Sequence, residues 1–219
     1  MSTLRRTVIL ALFLFFGLLS ITVHLRLWQS WDWDSLIALQ SALPRSVDWF
    51  SSLFSIIGSA EVTGVIFLAL LFSARPAQRL PWIITFGFAN LTELIGKAII
   101  NQPFTPHDLV RYIPILPIFI VSAKINPGFS YPSGHALRSV FLVIVLAALV
   151  AASNLSHARK TALYAILFAF EFIMLVSRVY LAEHWTTDVI GGALLGAAFA
   201  LIAIAWKFDL SALKKRMGF

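Results

Sequence analysis

The 219-residue chain predicts an all-α polytopic membrane protein, a six-transmembrane-helix bundle with both termini cytoplasmic. Three observations predict it. The composition is 59% hydrophobic and only 12% charged, too apolar to coat a soluble domain of this size. Apolar runs of about 20 residues recur, the helical length that crosses a hydrocarbon core of about 30 Å. Lysine and arginine favour alternate connections between those runs, as topology signals do. Each run is expected to be helical, because backbone amides in lipid must be satisfied within their own segment.

The elements follow in chain order. A first span over 7–28 follows Arg5 and Arg6. A secretory leader is the competing reading, but the apolar run is long and no small-x-small cleavage site follows it, so an uncleaved span is expected. Residues 34–43 read as a short interfacial helix: Asp34 can cap it, Leu36, Leu39 and Leu43 share a face, and Pro44 ends it. A plain loop is the alternative. Further spans are expected over 52–73, 81–100, 135–153, 161–180 and 188–207. Between the third and fourth lies the longest connection, 101–134, rich in proline and polar residues and long enough to suggest a functional loop. There is no internal repeat, and residues 1–219 read as one membrane-embedded domain.

Orientation rests on the basic residues. With the N-terminus inside, cytoplasmic segments hold Arg5, Arg6, Arg75, Arg79, Arg159, Lys160, Lys207, Lys214, Lys215 and Arg216. The outer segments hold Arg26, Arg45, Lys97, Arg111, Lys124, Arg138 and Arg178. Several of these outer cations fall where chemistry can explain them. Trp28, Trp31, Trp33, Trp49 and Trp185 map to the outer boundary, Trp82 and Trp206 to the inner one, as aromatic belts would. The net charge of +7 is scattered between spans and is no nucleic-acid signature. The absence of cysteine excludes disulfides, thiolate nucleophiles and Cys-ligated zinc.

The residues able to do chemistry cluster at the outer span ends. His184 and Asp188 stand one helical turn apart. A carboxylate there can hold one ring nitrogen and free the other to attack; a surface histidine beside a capping aspartate is the bland alternative. Arg178 offers a planar fork of donors that fits phosphate oxygens, or else snorkels to headgroups. In Pro132-Ser133-Gly134-His135, Ser133 can cap the next helix, Gly134 lets backbone approach a ligand, and the helix end supplies amides for an anion. His135 can give a proton to a leaving oxygen. For the tetrapeptide alone, an ordinary capped helix start is the better reading. Lys97, one turn after Glu93, needs a phosphate or that glutamate as partner. Glu61 and Glu171 lie within spans but away from this rim, and Gly192-x-x-x-Gly196 suggests helix packing. Polar residues gathered at one rim, rather than along a midplane path, disfavour a channel or transporter.

These residues resemble the signatures of the type 2 phosphatidic acid phosphatase superfamily. The second signature, Pro-Ser-Gly-His, is complete at 132–135, and the third, Ser-Arg-x5-His-x3-Asp, is complete at Ser177-Arg178…His184…Asp188. The first, Lys-x6-Arg-Pro, keeps Lys97 but has Phe104-Thr105 in place of Arg-Pro; Arg111 or Lys124 could supply the missing charge. The resemblance implies His184 as nucleophile forming a phosphohistidine, Asp188 orienting it, and His135 as proton donor and then water activator. It implies Lys97, Ser133, Gly134 and Arg178 around the phosphoryl oxygens, with no metal and no cofactor. The implied activity is hydrolysis of a lipid phosphomonoester or pyrophosphate, of the undecaprenyl pyrophosphate, phosphatidylglycerophosphate or phosphatidic acid type. A lipid phosphotransferase with the same intermediate, or a non-catalytic lipid-phosphate binder, are the alternatives. The partners expected are the lipid phosphate and membrane lipids. The expected location is the cell membrane, with the site on the extracytoplasmic face.

Overall fold

The computed structural model describes residues 3–115 and 128–206. Among these, all regular structure is helical: α1 (Thr3–His24), α2 (Gln29–Ala42), α3 (Asp48–Gly58), α4 (Ala60–Ser73), α5 (Pro76–Ile99), α6 (Gly134–Ala152), α7 (His157–Tyr180) and α8 (Thr186–Ala205). Lys124 and the basic C-terminal residues lie outside the described residues.

Among the described residues, four helices are long and apolar enough to cross a membrane: α1, α6, α7 and α8. A fifth unit qualifies if the segment 45–73 is one span, but it is bent by 53°. The span expected over 52–73 is built from two helices, α3 and α4, meeting at this bend. The break is local chemistry. Gly58 ends α3, and Ser59 turns extended (φ −60°, ψ 158°) and accepts the Val62 N–H at 3.3 Å to cap α4. A Cβ on Gly58 would sit 2.9 Å from both the His135 ring and Met174 Sδ, so the glycine also makes room for an imidazole. α5 runs for 24 residues from Pro76, where the missing N–H costs nothing, but it carries Arg79, Glu93 and Lys97 and is not among the apolar spans.

The interfacial helix is longer than expected. α2 starts at Gln29 without a side-chain cap, so Asp34 is an exposed residue of its interior rather than its cap. Leu36 is fully buried, and Leu43 and Pro44 end the helix as read. Trp82 and Trp185 face the protein rather than lipid. Both are buried, Trp82 against Phe67 and Phe141, whereas Trp28, Trp31, Trp33, Trp49 and Trp206 are exposed as belt residues would be.

α8 is the central element, packed on α6, α1 and α5, while α7 packs on α3 and α6. Its closest approach is made by glycines. A Cβ on Gly192 would stand 2.3 Å from the Ser133 carbonyl oxygen, and one on Gly196 2.3 Å from that of Leu137. Small residues bring the backbones together, as in membrane bundles generally. The start of α6 is thereby pressed against the start of α8. α5 and α7 finish at that same end of the bundle.

Candidate active site

At that end the two histidines meet. The ring centroids of His135 and His184 are 6.4 Å apart, with planes inclined by 61°. His135 begins α6; His184 lies in the turn between α7 and α8. The two segments are also joined by backbone, because the Ser133 N–H donates to the Asp188 carbonyl oxygen at 2.9 Å. Ser133 is the N-cap of α6, its hydroxyl accepting from the Ala136 N–H at 3.4 Å.

Asp188 is fully buried. Its Oδ2 receives the Trp185 N–H at 3.1 Å and faces His184 Nδ1 at 3.2 Å. One oxygen thus starts α8 and holds the imidazole through Nδ1, which leaves Nε2 as the ring atom free to react. Asp188 Oδ1 is buried with no hydrogen-bond partner among the described residues.

A third buried acid supports the same turn. Asp32 of α2 accepts the Thr187 N–H at 2.9 Å, the Thr187 hydroxyl at 2.7 Å and the Gln102 amide at 3.0 Å. It caps α8 from another helix. Burial outweighs these donors and lifts its carboxyl to about 6; the nearby Asp188 charge adds to the rise.

Arg178 is fully buried at the last turn of α7. Its Nη1 donates to Ser55 Oγ at 2.7 Å and to the Glu183 carboxylate. Its Nε and Nη2 reach Ser177 Oγ at 3.3 and 2.9 Å, and Nη2 the Ser51 carbonyl at 3.5 Å. Ser55 in turn donates to Glu183 at 3.0 Å. Tyr112 lies over this pair: burial and then the Glu183 charge raise its hydroxyl, with Arg178 opposing.

Beside Gly134, Glu93 bridges two cations. It meets Lys97 at 2.9 Å and Arg138 at 3.1 Å. Both the glutamate pairing and the site-end position expected of Lys97 are therefore present together. Gly134 lets the cluster close, because a Cβ there would stand 2.3 Å from Glu93 Oε1 and 2.8 Å from Arg138 Nη1.

Residues 49–212 match the model of the PAP2 superfamily, about three quarters of the chain. The chain belongs to that superfamily. It is 26% identical over 194 residues to phosphatidylglycerophosphatase B of Bacillus subtilis, a match covering 85% of this chain and 88% of that protein. It is 31% identical over 119 residues to the lipid A 4'-phosphatase of Bacteroides thetaiotaomicron, covering 52% of this chain and 46% of that one. A solved structure of a transmembrane PAP2-type phosphatidylglycerolphosphate phosphatase from Bacillus subtilis superposes with a TM-score of 0.70. It covers 90% of this chain and 94% of that one at 23% identity, a likeness of fold. The chain is thus a membrane protein of a phosphatase family.

Within this PAP2 frame the first signature is the irregular part. Phe104 is half exposed beside Trp185, in a shallow pocket floored by Asp32 and Gln102. Arg111 does not replace the missing arginine. Its guanidinium stacks on the Tyr180 ring at 5.1 Å and donates to the Tyr180 hydroxyl at 3.2 Å, and its N–H fastens the loop to the Leu181 carbonyl at 3.0 Å. The loop is further tied down by the Trp185 indole on the Pro103 carbonyl at 2.7 Å.

Sequence reasoning passed over Asp32, Ser55 and Glu183, and read Arg138 only as an outer cation. Ser51 and Ser55 stand one turn apart on α3, a polar stripe in an apolar run that could have flagged a buried partner. Asp32 carried no such signal, since its partner lies 155 residues away.

Proposed function

We propose that this PAP2 protein is a metal-independent lipid phosphatase working through a phosphohistidine on His184. The observation that carries this reading is the convergence of two imidazoles, at 6.4 Å, beside a fully buried arginine. His184 Nε2 attacks phosphorus while Asp188 holds Nδ1–H and offsets the growing positive charge on the ring. The bond from phosphorus to the leaving oxygen breaks, and His135 gives that oxygen its proton. His135 then takes a proton from water, whose oxygen attacks phosphorus. The bond from phosphorus to Nε2 breaks, and phosphate departs. Lys97, Ser133, the Gly134 amide and Arg178 surround the phosphoryl oxygens, supplying fixed positive dipoles and charges where negative charge develops.

An amphiphilic substrate is supported by the surroundings. An apolar groove of about 610 Å³ runs from Val179 and Thr186, near the histidines, down to Leu12 and Ala197 in the middle of the bundle. A lipid tail fits such a groove while its phosphate stays at the rim. The six-span topology with cytoplasmic termini belongs to the same proposal, with α3 and α4 as one broken span and α5 as another. It places the site on the extracytoplasmic face, within one domain.

The test is phosphate release in detergent, with EDTA present, from undecaprenyl pyrophosphate, phosphatidylglycerophosphate and phosphatidic acid. Wild type releases phosphate from at least one of them and His184→Ala from none. Wild-type rates in His184→Ala would remove the nucleophile.

A further inference from the structure

The acid Glu93 faces more positive charge than it can neutralise. Lys97 and Arg138 both pair with it, at 2.9 and 3.1 Å, and the cluster keeps one net positive charge. In the same site, Glu183 pairs with Arg178. Arg138 is therefore the cation in excess within the Glu93 cluster. Without it, Glu93 and Lys97 would cancel, and this cluster would offer a phosphoryl group no net positive charge.

The position of Arg138 fits this role. Side chains on a helix lean back toward its N-terminus. Arg138, one turn into α6, reaches back until Nη1 lies 2.8 Å from where a Gly134 Cβ would be. It stands level with the amides that begin α6, and it acts electrostatically on His135 together with Arg178, Lys97 and His184. The residue is only 8% exposed, yet its fork is largely unspent. Nη1 donates to Glu93 at 3.1 Å and to Asn90 Oδ1 at 3.3 Å. Nε is buried without a partner, and Nη2 makes no hydrogen bond among the described residues. A guanidinium exists to donate several hydrogen bonds at once, and one this buried with most donors idle is built for an incoming acceptor.

We propose that Arg138 is a phosphate-binding residue of this site, supplying the second guanidinium on the phosphoryl group that the chain lacks at Phe104. The ligand class is a phosphoryl group with two or more charged oxygens, whether on a lipid or free. The inference rests on the phosphatase reading above.

The experiment uses the full-length protein in detergent and two probes. Inorganic phosphate is titrated by thermal shift, without turnover, and phosphatidic acid in mixed micelles is followed by steady-state kinetics. Arg138→Gln is expected to weaken inorganic phosphate about tenfold or more and to raise KM by a similar factor, the scale of a lost charge-assisted hydrogen bond. Arg138→Lys, which keeps the charge and loses the fork, falls between. The double variant Glu93→Gln/Arg138→Gln separates binding from mere neutralisation of Glu93: it should remain weak. If it recovers wild-type affinity, Arg138 serves only Glu93 and the proposal is wrong. Unchanged phosphate affinity in Arg138→Gln overturns it equally. Should Arg138→Gln fail to fold, Arg138→Lys decides: weaker phosphate supports the proposal, and unchanged phosphate refutes it. A wild-type protein that neither binds phosphate nor turns over would instead sink the phosphatase reading itself.

Discussion

Asp188 does two jobs with one oxygen. Its Oδ2 starts α8 at the Trp185 amide and orients His184 through Nδ1. Replacing it by asparagine would keep the shape and allow the cap, but an amide can present its NH2 to the ring and favour the wrong tautomer. We expect Asp188→Asn to fold with near-wild-type thermal stability and to lose about 10³-fold or more in kcat, the scale seen when a tautomer-setting aspartate is amidated elsewhere. A loss of stability without that kinetic loss would show the cap to be its main role. At this scale the sequence was legible where partners are close in number. Four positions separate His184 from Asp188 and Glu93 from Lys97, and both pairs are made. Arg138 was read only as an outer cation, because its link to Glu93 spans 45 positions and depends on the absence of a side chain at Gly134.

At the scale of elements, α2 is the least predictable and the most consequential. Its length was underestimated because the residues before Asp34 carry no cap signal, and its role was invisible because Asp32 works on α8. The carboxyl of Asp32 is lifted from the ordinary 3.8 to about 6. Between those pH values the folded protein holds a proton that the unfolded chain has released. The contribution of this group to stability is therefore greatest below about pH 4 and declines as pH rises to about 6. Asp32→Asn should remove that component from a plot of Tm against pH. It should also loosen the Thr187 turn, lowering kcat at pH 7 more than it raises KM. An unaltered pH profile together with unaltered kcat would mean that α2 merely covers the site. The Gly192-x-x-x-Gly196 stripe, by contrast, was readable as helix packing and serves as such, against the Ser133 and Leu137 carbonyls. The break at Gly58-Ser59 was also written in residue chemistry, a glycine stop followed by a serine cap, but the continuous apolarity of 52–73 masked it.

For the whole molecule, composition alone carried the fold class. An all-helical membrane architecture needs only apolarity and recurrent length, and both are present. The arrangement of helices around α8 was not legible, since it depends on which glycines meet which carbonyls. The natural lack of cysteine makes the topology directly testable. Single cysteines at exposed Asp34 and half-buried Lys160 fall on opposite sides in the six-span arrangement. In intact cells a membrane-impermeant maleimide should label Asp34→Cys and spare Lys160→Cys until the cells are lysed. The reverse pattern would put the histidines on the cytoplasmic face. The central claim is that a phosphoryl group passes through the imidazole of His184. It is tested most directly by incubating a labelled lipid phosphate with the protein, quenching at alkaline pH, and mapping the label by mass spectrometry. The account predicts an acid-labile, base-stable phosphoryl group on His184, accumulating further in His135→Ala and missing from His184→Ala. Phosphate release from His184→Ala at the wild-type rate, or label on another residue, would contradict it.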